Sequence, residues 1–307
     1  MQALLHAIAQ ALPGADAERL FHGRGGLHAG AEAWTLDWFP PCWVLSSFEP
    51  VAEAQLESLA QALAERWAQV GDGTPLTWLY HCRQVGHEER AAPRLMAGHL
   101  PEPHAVGEDG ARFLVHLTRG QNHGLFLDMR EGRRWLRRLA PRKVLNLFAY
   151  SCAFSVVALQ AGAEKVLNVD MSPGALALGR RNHLLNGVDD GRAQFLAHDV
   201  FNSWGKLTRA GPYDAVLLDP PMMQKGSFVA EKDWPRLMRR LPSLVAPGGH
   251  ALLALNSPKL RPAFLLDAMA REAPELQFVE RLANPPAFAD VDEDRSLKVL
   301  IYRRASA

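Results

Sequence analysis

The chain has 307 residues, 48% hydrophobic and 22% charged, with a formal net charge of +1 at pH 7. That is enough apolar material for one large or two medium domains with real cores, and so little net charge supplies no global field for nucleic acid, so any such role has to come from a local patch. No apolar run approaches the ~18 residues needed to span a bilayer, and residues 1–12 show neither a basic region nor a small-residue cleavage site. Three scattered cysteines, Cys42, Cys82 and Cys152, lack metal-ligand spacing and fit reduced thiols, so a cytoplasmic location is expected. The histidines show no ligand spacing either, and neither a metal nor a membrane is expected as a partner.

In chain order, residues 1–12 are predicted as a short amphipathic helix and 43–48 (WVLSSF) as a compact apolar strand. Residues 51–70 carry Ala54, Leu56, Leu59, Leu63 and Trp67 at helical spacing and stop at Gly71. Residues 76–81 read as a strand, and the proline-bearing stretch 87–103 as an irregular surface segment. Glu108-Asp109-Gly110 is a turn signal leading into an alternating strand over 112–117.

From about residue 142 the pattern changes. Short apolar strands, KVLNLF (143–148), KVLNVD (165–170), AQFLAHD (193–199), YDAVLLD (213–219) and HALLALN (250–256), alternate with helical stretches, clearest over 172–186 and 233–245. Nearly continuous apolar strands separated by helices predict a parallel sheet covered on both faces. Two further strands, near 277–281 and 297–302, flank the acidic run 290–294, which suits a hairpin loop and gives an antiparallel edge. There is no internal repeat and no low-complexity segment.

In such a sheet ligands lie at the C-terminal strand ends. The polar groups there are Asn146 with the turn 147–152, then Asp170, then Asp199, then Asp219-Pro220-Pro221. Each of Asp170 and Asp199 alone also suits a helix cap; polar groups from four consecutive strands on one rim are harder to explain by capping. Asp170 follows the first turn by roughly twenty residues, the spacing at which a carboxylate accepts both ribose hydroxyls. That position serves NAD as well as S-adenosylmethionine. The first turn lacks G-x-G-x-x-G and so has no evident pyrophosphate cradle. S-adenosylmethionine carries no phosphate, and its cationic sulfonium suits the acidic rim of Asp170, Asp199 and Asp219. In Asp219-Pro220-Pro221 two prolines fix the backbone just past a strand. A rigid acceptor there can hold an amine or ring N–H and aim its lone pair at a methyl group; the bland alternative is a strand-ending turn.

The run GLFLDMREGRRWL (124–136), followed in order by VLNLFAYSCAFSVVAL, NVDMSPGAL, AHDVF and LLDPPMMQKGSF, resembles the class I S-adenosylmethionine-dependent methyltransferases related to the bacterial 23S ribosomal RNA large-subunit methyltransferases I and K/L. Upstream, FLVHLTRGQNHG (113–124) is similar to the strand entering that family's catalytic domain. The resemblance implies an α/β fold: a Rossmann-like domain over 124–307, with a seven-stranded, mostly parallel sheet and an antiparallel edge. A smaller α+β accessory or substrate-recognition domain precedes it over 1–123, and no additional RNA-binding module of the kind the large-subunit enzyme I carries is evident. S-adenosylmethionine is the implied cofactor and ribosomal RNA the implied substrate.

The expected site follows from both lines of argument. Asp128 and Arg130 belong to the FLD-x-R segment, which packs over the cofactor in that family. Asn146, Phe148, Ala149, Tyr150 and Ser151 are expected at the methionine end, Asp170 with Met171 at the ribose, and Asp199 with Val200 at the adenine. Asp219, with Pro220, Pro221 and Asn256, is expected to position the acceptor.

Three departures from the family pattern bear on the chemistry. Ser151-Cys152-Ala153-Phe154 stands where members often show T-G-x-F, with Cys152 expected as a small buried residue. Met222-Met223 replaces the usual aromatic after D-P-P, leaving Phe228 or Met223 as the stacking candidate. The strand after Pro247-Gly248-Gly249 ends Leu255-Asn256-Ser257 with no cysteine, which argues against the thiolate attack that C5 methylation of cytosine requires. Direct in-line transfer needs only positioning and proton removal. Near-neutral charge and the missing aromatic favour a rival, a methyltransferase for a protein or small molecule. A non-catalytic RNA-binding relative is a second alternative and an NAD(P) dehydrogenase a more distant one. The arginines Arg133, Arg134, Arg137, Arg138 and Arg142, with Arg236, Arg239 and Arg240, read either as a solvated helix face or as phosphate contacts. Trp34, Trp38 and Trp43 are expected mostly in the core.

Overall fold

The computed structural model describes residues 1–83, 92–119, 122–188, 191–221, 223–224 and 228–306. The chain divides into two units, Met1–Leu127 with Pro285–Asp292, and Asp128–Asn284 with Glu293–Ala307. Pro285–Asp292 thus interrupts the second unit in sequence, a discontinuity that a linear boundary at residue 124 does not anticipate.

In the first unit α1 (Gln2–Gln10) buries Leu4 and Ile8. β1 (Glu18–His22), β2 (Trp34–Phe39), β3 (Cys42–Ser47), β4 (Thr77–Cys82) and β5 (Arg94–Ala97) form a five-stranded sheet in that order. Only β3 and β4 pair in parallel, and α2 (Glu53–Val70) supplies the crossover that a parallel pair requires. Leu56, Leu59 and Leu63 form the buried stripe of α2, which ends at Gly71 as its spacing predicts. β2 and β3 are buried at every residue. Asp37 inside β2 is tolerated because Arg19 donates to its two oxygens at 2.7 and 3.0 Å. β6 (His104–Glu108) and β7 (Ala111–Val115) make a hairpin across Asp109 and Gly110, at φ 48° and 80°. The strand β5 lies in the stretch read as irregular, of which residues 87–91 are outside the described residues.

The second unit begins with α3 (Arg130–Leu139) and continues β8 (Lys143–Leu147), α4 (Ala153–Gln160), β9 (Lys165–Asp170), α5 (Pro173–Leu185), β10 (Ala193–Ala197), α6 (Trp204–Ala210) and β11 (Tyr213–Leu218). A short ladder, β12 (Met223–Gln224) with β13 (Phe228–Val229), leads to α7 (Ala230–Met238), α8 (Leu241–Leu244), β14 (Val245–Leu255), α9 (Pro262–Glu272), β15 (Leu276–Leu282) and β16 (Lys298–Arg304). The sheet order is β10-β9-β8-β11-β14-β16-β15, and every pairing is parallel except the two made by β16. This is the expected seven-stranded Rossmann-like sheet with its antiparallel edge. Alternate residues go to opposite faces: Leu145, Leu147, Val216 and Leu218 join one core, and Val144, Ala215 and Leu217 the other.

One expected helix is divided. The pattern over 233–245 breaks into α7 and α8, and Val245 opens β14 ahead of the expected start at His250. Pro242 explains the break, since without a backbone N–H it cannot continue the helical ladder back to Met238, where α7 ends, and it suits the first turn of α8 instead. The switch point, where the chain turns from one half of the sheet to the other, lies between β8 and β11, so their C-terminal ends define the candidate site.

Candidate active site

The chain leaves β8 through a turn in which Phe148, Tyr150 and Cys152 all have positive φ, 58°, 46° and 59°. A left-handed conformation costs a non-glycine residue about 1–2 kcal/mol, so such a turn persists only where partners hold it. Ala149 N donates to Val169 O (3.0 Å) and Cys152 N to Ala149 O (2.8 Å). Tyr150 N donates to Asp170 Oδ2, and Ser172 N to Asp170 Oδ1, both at 2.8 Å. Asp170 therefore ties together the loops that follow β8 and β9, and each of its oxygens retains further acceptor capacity.

Asp199 follows β10. Its Oδ1 accepts from Phe201 N (2.9 Å) and its Oδ2 from Asn202 Nδ2 (2.6 Å), capping the short turn Val200–Asn202. Both carboxylates thus cap local structure, as their strand-end positions allow, while lying at the C-terminal ends of adjacent strands, where Asp170 is paired with Ala197, two residues before Asp199. Met171 is exposed just past Asp170, whereas Val200 is buried.

Asp219 ends β11, followed by buried Pro220 and exposed Pro221. Part of Asp219 reaches the surface, yet burial pushes its carboxyl up to about 7. The Asp128 carboxylate adds to the rise and the Arg133 guanidinium opposes it. Arg133 is buried, at 4% exposure, so this member of the basic stretch is neither solvated nor available to a phosphate backbone. Arg130, like Asp128, is half-buried. Asn256 is exposed at the end of β14. The next carbonyl, that of Ser257, accepts from Lys298 Nζ at 2.6 Å, and Lys298 also donates to Asp294 O at 3.0 Å. Lys298 is fully buried, and its sequence context gave no signal for it.

Several expected residues lie beneath the rim. Asn146 is buried in the sheet, where its Nδ2 donates to Asn168 Oδ1 (2.9 Å). Asn168 Nδ2 donates to Ser155 Oγ (3.0 Å), Ser155 Oγ is 2.9 Å from His183 Nε2, and His183 Nδ1 is 2.7 Å from Gly179 O. A carbonyl only accepts, so Nδ1 carries the proton and Ser155 donates to Nε2. Ala149 and Ser151 are buried; Phe148 and Tyr150 are half-buried. Phe228 is buried between Phe148 (5.8 Å between ring centroids) and Trp234 (6.4 Å), so it is core and not a stacking platform. Met222 and the side chain of Met223 lie outside the described residues.

Cys152 is buried, and burial and the nearby Asp170 push its thiol up, away from thiolate character. The rim as a whole suits S-adenosylmethionine: strand-end carboxylates are the groups a cationic sulfonium and a ribose diol would need, and a glycine-free turn offers no cradle for phosphate.

The profile of the S-adenosylmethionine-dependent methyltransferases matches residues 18–303. The ribosomal RNA large subunit methyltransferase I of Aeromonas salmonicida is 29% identical over 296 residues, 89% of this chain and 72% of that protein. The ribosomal RNA large subunit methyltransferase K/L of a Psychrobacter species is 38% identical over 164 residues, 51% of this chain and 20% of that protein. A solved Streptococcus mutans structure, described as a SAM-dependent methyltransferase, shares the fold at a TM-score of 0.79 and 23% identity, over 98% of this chain and 78% of that one. With a single family profile spanning both units and an acidic rim at the switch point, the chain belongs to the S-adenosylmethionine-dependent methyltransferases and uses S-adenosylmethionine as its cofactor.

Proposed function

We propose that this methyltransferase acts on a nitrogen of a base in ribosomal RNA, by direct transfer and without a cysteine nucleophile. The observation that carries the reading is Asp219. A strand-end carboxyl backed by two prolines, and raised to about 7, is poised to hold an N–H and to gain its proton near neutrality. Ribosomal RNA is supported by the names of the curated relatives, which are ribosomal RNA large subunit methyltransferases. The end of β14 carries Asn256 and Ser257 in place of a thiol, and Cys152 is buried with its thiol raised.

Bound S-adenosylmethionine supplies an electrophilic methyl group on a cationic sulfonium. Asp170 accepts from the ribose hydroxyls, with Met171 alongside. Asp199 borders the adenine region, the turn from Phe148 to Ser151 receives the methionine end, and Asp128 and Arg130 flank it. Asn146 acts from below, through the sheet. Asp219 accepts the acceptor's N–H, keeps its lone pair aimed at the methyl, and takes the proton the nitrogen sheds on alkylation, with Pro220 and Pro221 fixing the carboxyl and Asn256 as the second polar contact. No helix among the described residues is long and apolar enough to cross a membrane, and the enzyme acts where ribosomal RNA is processed, in the cytoplasm.

The test is transfer of labelled methyl from S-adenosylmethionine to an extract of cells lacking this protein, fractionated into RNA, protein and small molecules. Label in RNA, mapped by nuclease digestion to one base, is expected. Label confined to protein or small molecules overturns the RNA reading.

A further inference from the structure

A turn with three non-glycine left-handed residues needs an anchor, and α5 provides one from below. Gly179 and Asn182 lie three residues apart and so share a face of that helix. Asn182 is fully buried, and its Nδ2 donates to Ser151 O at 2.9 Å. Gly179 lets the helix approach so closely that a Cβ there would lie 2.5 Å from Cys152 Sγ and 3.0 Å from Cys152 Cβ. Ser151 and Cys152 are themselves buried, at 2% and 0% exposure, so a Ser151 carbonyl deprived of Asn182 would lose this donor away from water.

We infer that Asn182 and Gly179 are positioning residues for S-adenosylmethionine, locking the turn after β8 in the shape that receives the cofactor. Neither touches the reacting atoms; both act through Ser151 and Cys152. The inference rests on the assignment of the 148–152 turn to the cofactor. A turn that relaxes when the lock is broken is competent only part of the time, and the apparent Kd rises in inverse proportion to the competent fraction.

The experiment is calorimetric titration of the full chain with S-adenosylmethionine, with thermal unfolding recorded beside it. Asn182→Ala and Gly179→Ala are each expected to raise Kd about tenfold. Cys152→Gly removes both clashing atoms and relieves a left-handed residue; because it lies in the turn itself, its own Kd is the reference for the double variant. Gly179→Ala is expected to raise Kd by less than about threefold in the Cys152→Gly background, and with every variant titrated below the onset of its unfolding this coupling reports the turn and not the folded fraction. If Gly179→Ala fails to fold, Asn182→Ala and the double variant still decide the matter.

Unchanged affinity in Asn182→Ala, or a Gly179→Ala penalty on Kd that is undiminished in the Cys152→Gly background, overturns the lock. Asp170→Ala is the control for the assignment beneath it. If Asp170→Ala loses cofactor while Asn182→Ala does not, only the lock fails. If neither variant changes Kd, the assignment of the site to this rim fails with it.

Discussion

Replacing Asp219 with Asn is expected to make the protein more stable and inactive at once. The folded carboxyl titrates at about 7 against an ordinary 3.8. The folded state therefore binds that proton more tightly than the unfolded one, and this residue's contribution to stability falls as pH rises from about 4 to about 7, then levels. A shift of ~3 units corresponds to ~4 kcal/mol at pH 8; because part of the residue reaches solvent, ~2–4 kcal/mol is the working range. Asn cannot ionise and avoids the cost, so Asp219→Asn gains roughly 5–15 °C in the melting temperature of the catalytic unit at pH 8. The gain shrinks below pH 7 and is gone by about pH 4. Thermal unfolding of both proteins at pH 4.5, 6, 7 and 8, followed by circular dichroism and calorimetry, gives the difference directly, with other titrating groups cancelling. Cofactor affinity should stay within a few-fold while methyl transfer is lost. A stability difference that does not change with pH, or a less stable Asn variant at pH 8, refutes the claim that this carboxyl is held against its solvation.

Three further outcomes follow from the same geometry. Turnover at saturating cofactor should rise through about pH 7; Asp128→Asn removes the like charge and moves the inflection down, Arg133→Gln moves it up, and a profile indifferent to both variants separates Asp219 from proton removal. Lys298→Met leaves the buried Ser257 carbonyl and the part-buried Asp294 carbonyl without this donor, which should cost ~1–3 kcal/mol in urea unfolding and lower turnover more than cofactor affinity; full turnover would show that Asn256 does not depend on this support. Arg138 is exposed and Arg137 is half-buried, donating to Gln160 at 3.2 Å, so reversing both to Glu should weaken RNA binding and flatten its salt dependence; parental binding that is equal at low and high salt removes this patch from the interface.

The catalytic sheet was legible because its central strands are buried on both faces and therefore read as apolar runs; KVLNVD matches β9 residue for residue. The first unit was less so. β2 (WTLDWF) is buried throughout, but its threonine and aspartate break the apolar run, and only Arg19, on the neighbouring strand, makes Asp37 tolerable there. The Asp109-Gly110 turn was visible while β6 before it was not, because Gly107 weakens the strand pattern. At the site, strand-end acids can be read from position alone. The buried state of Arg133 and Lys298 cannot, since long cationic side chains are nearly always exposed unless paired, and their partners lie on other elements. The chain from Asn146 through Asn168 and Ser155 to His183 draws on four elements, so no local window contains it.

The place of β16 between β14 and β15 has a consequence for how the protein is made. In order of synthesis β14 and β15 are both finished before the strand that joins them, residues 298–304, exists. The edge of β14, apolar from Ala251 to Leu255, waits about fifty residues for its neighbour, roughly 3–10 s at 5–20 residues per second. During that interval the nascent chain presents an unpaired hydrophobic edge of the kind that templates aggregation. The strand-end rim proposed for the cofactor therefore matures last, because the support of Ser257 by Lys298 arrives with the first residue of the final strand.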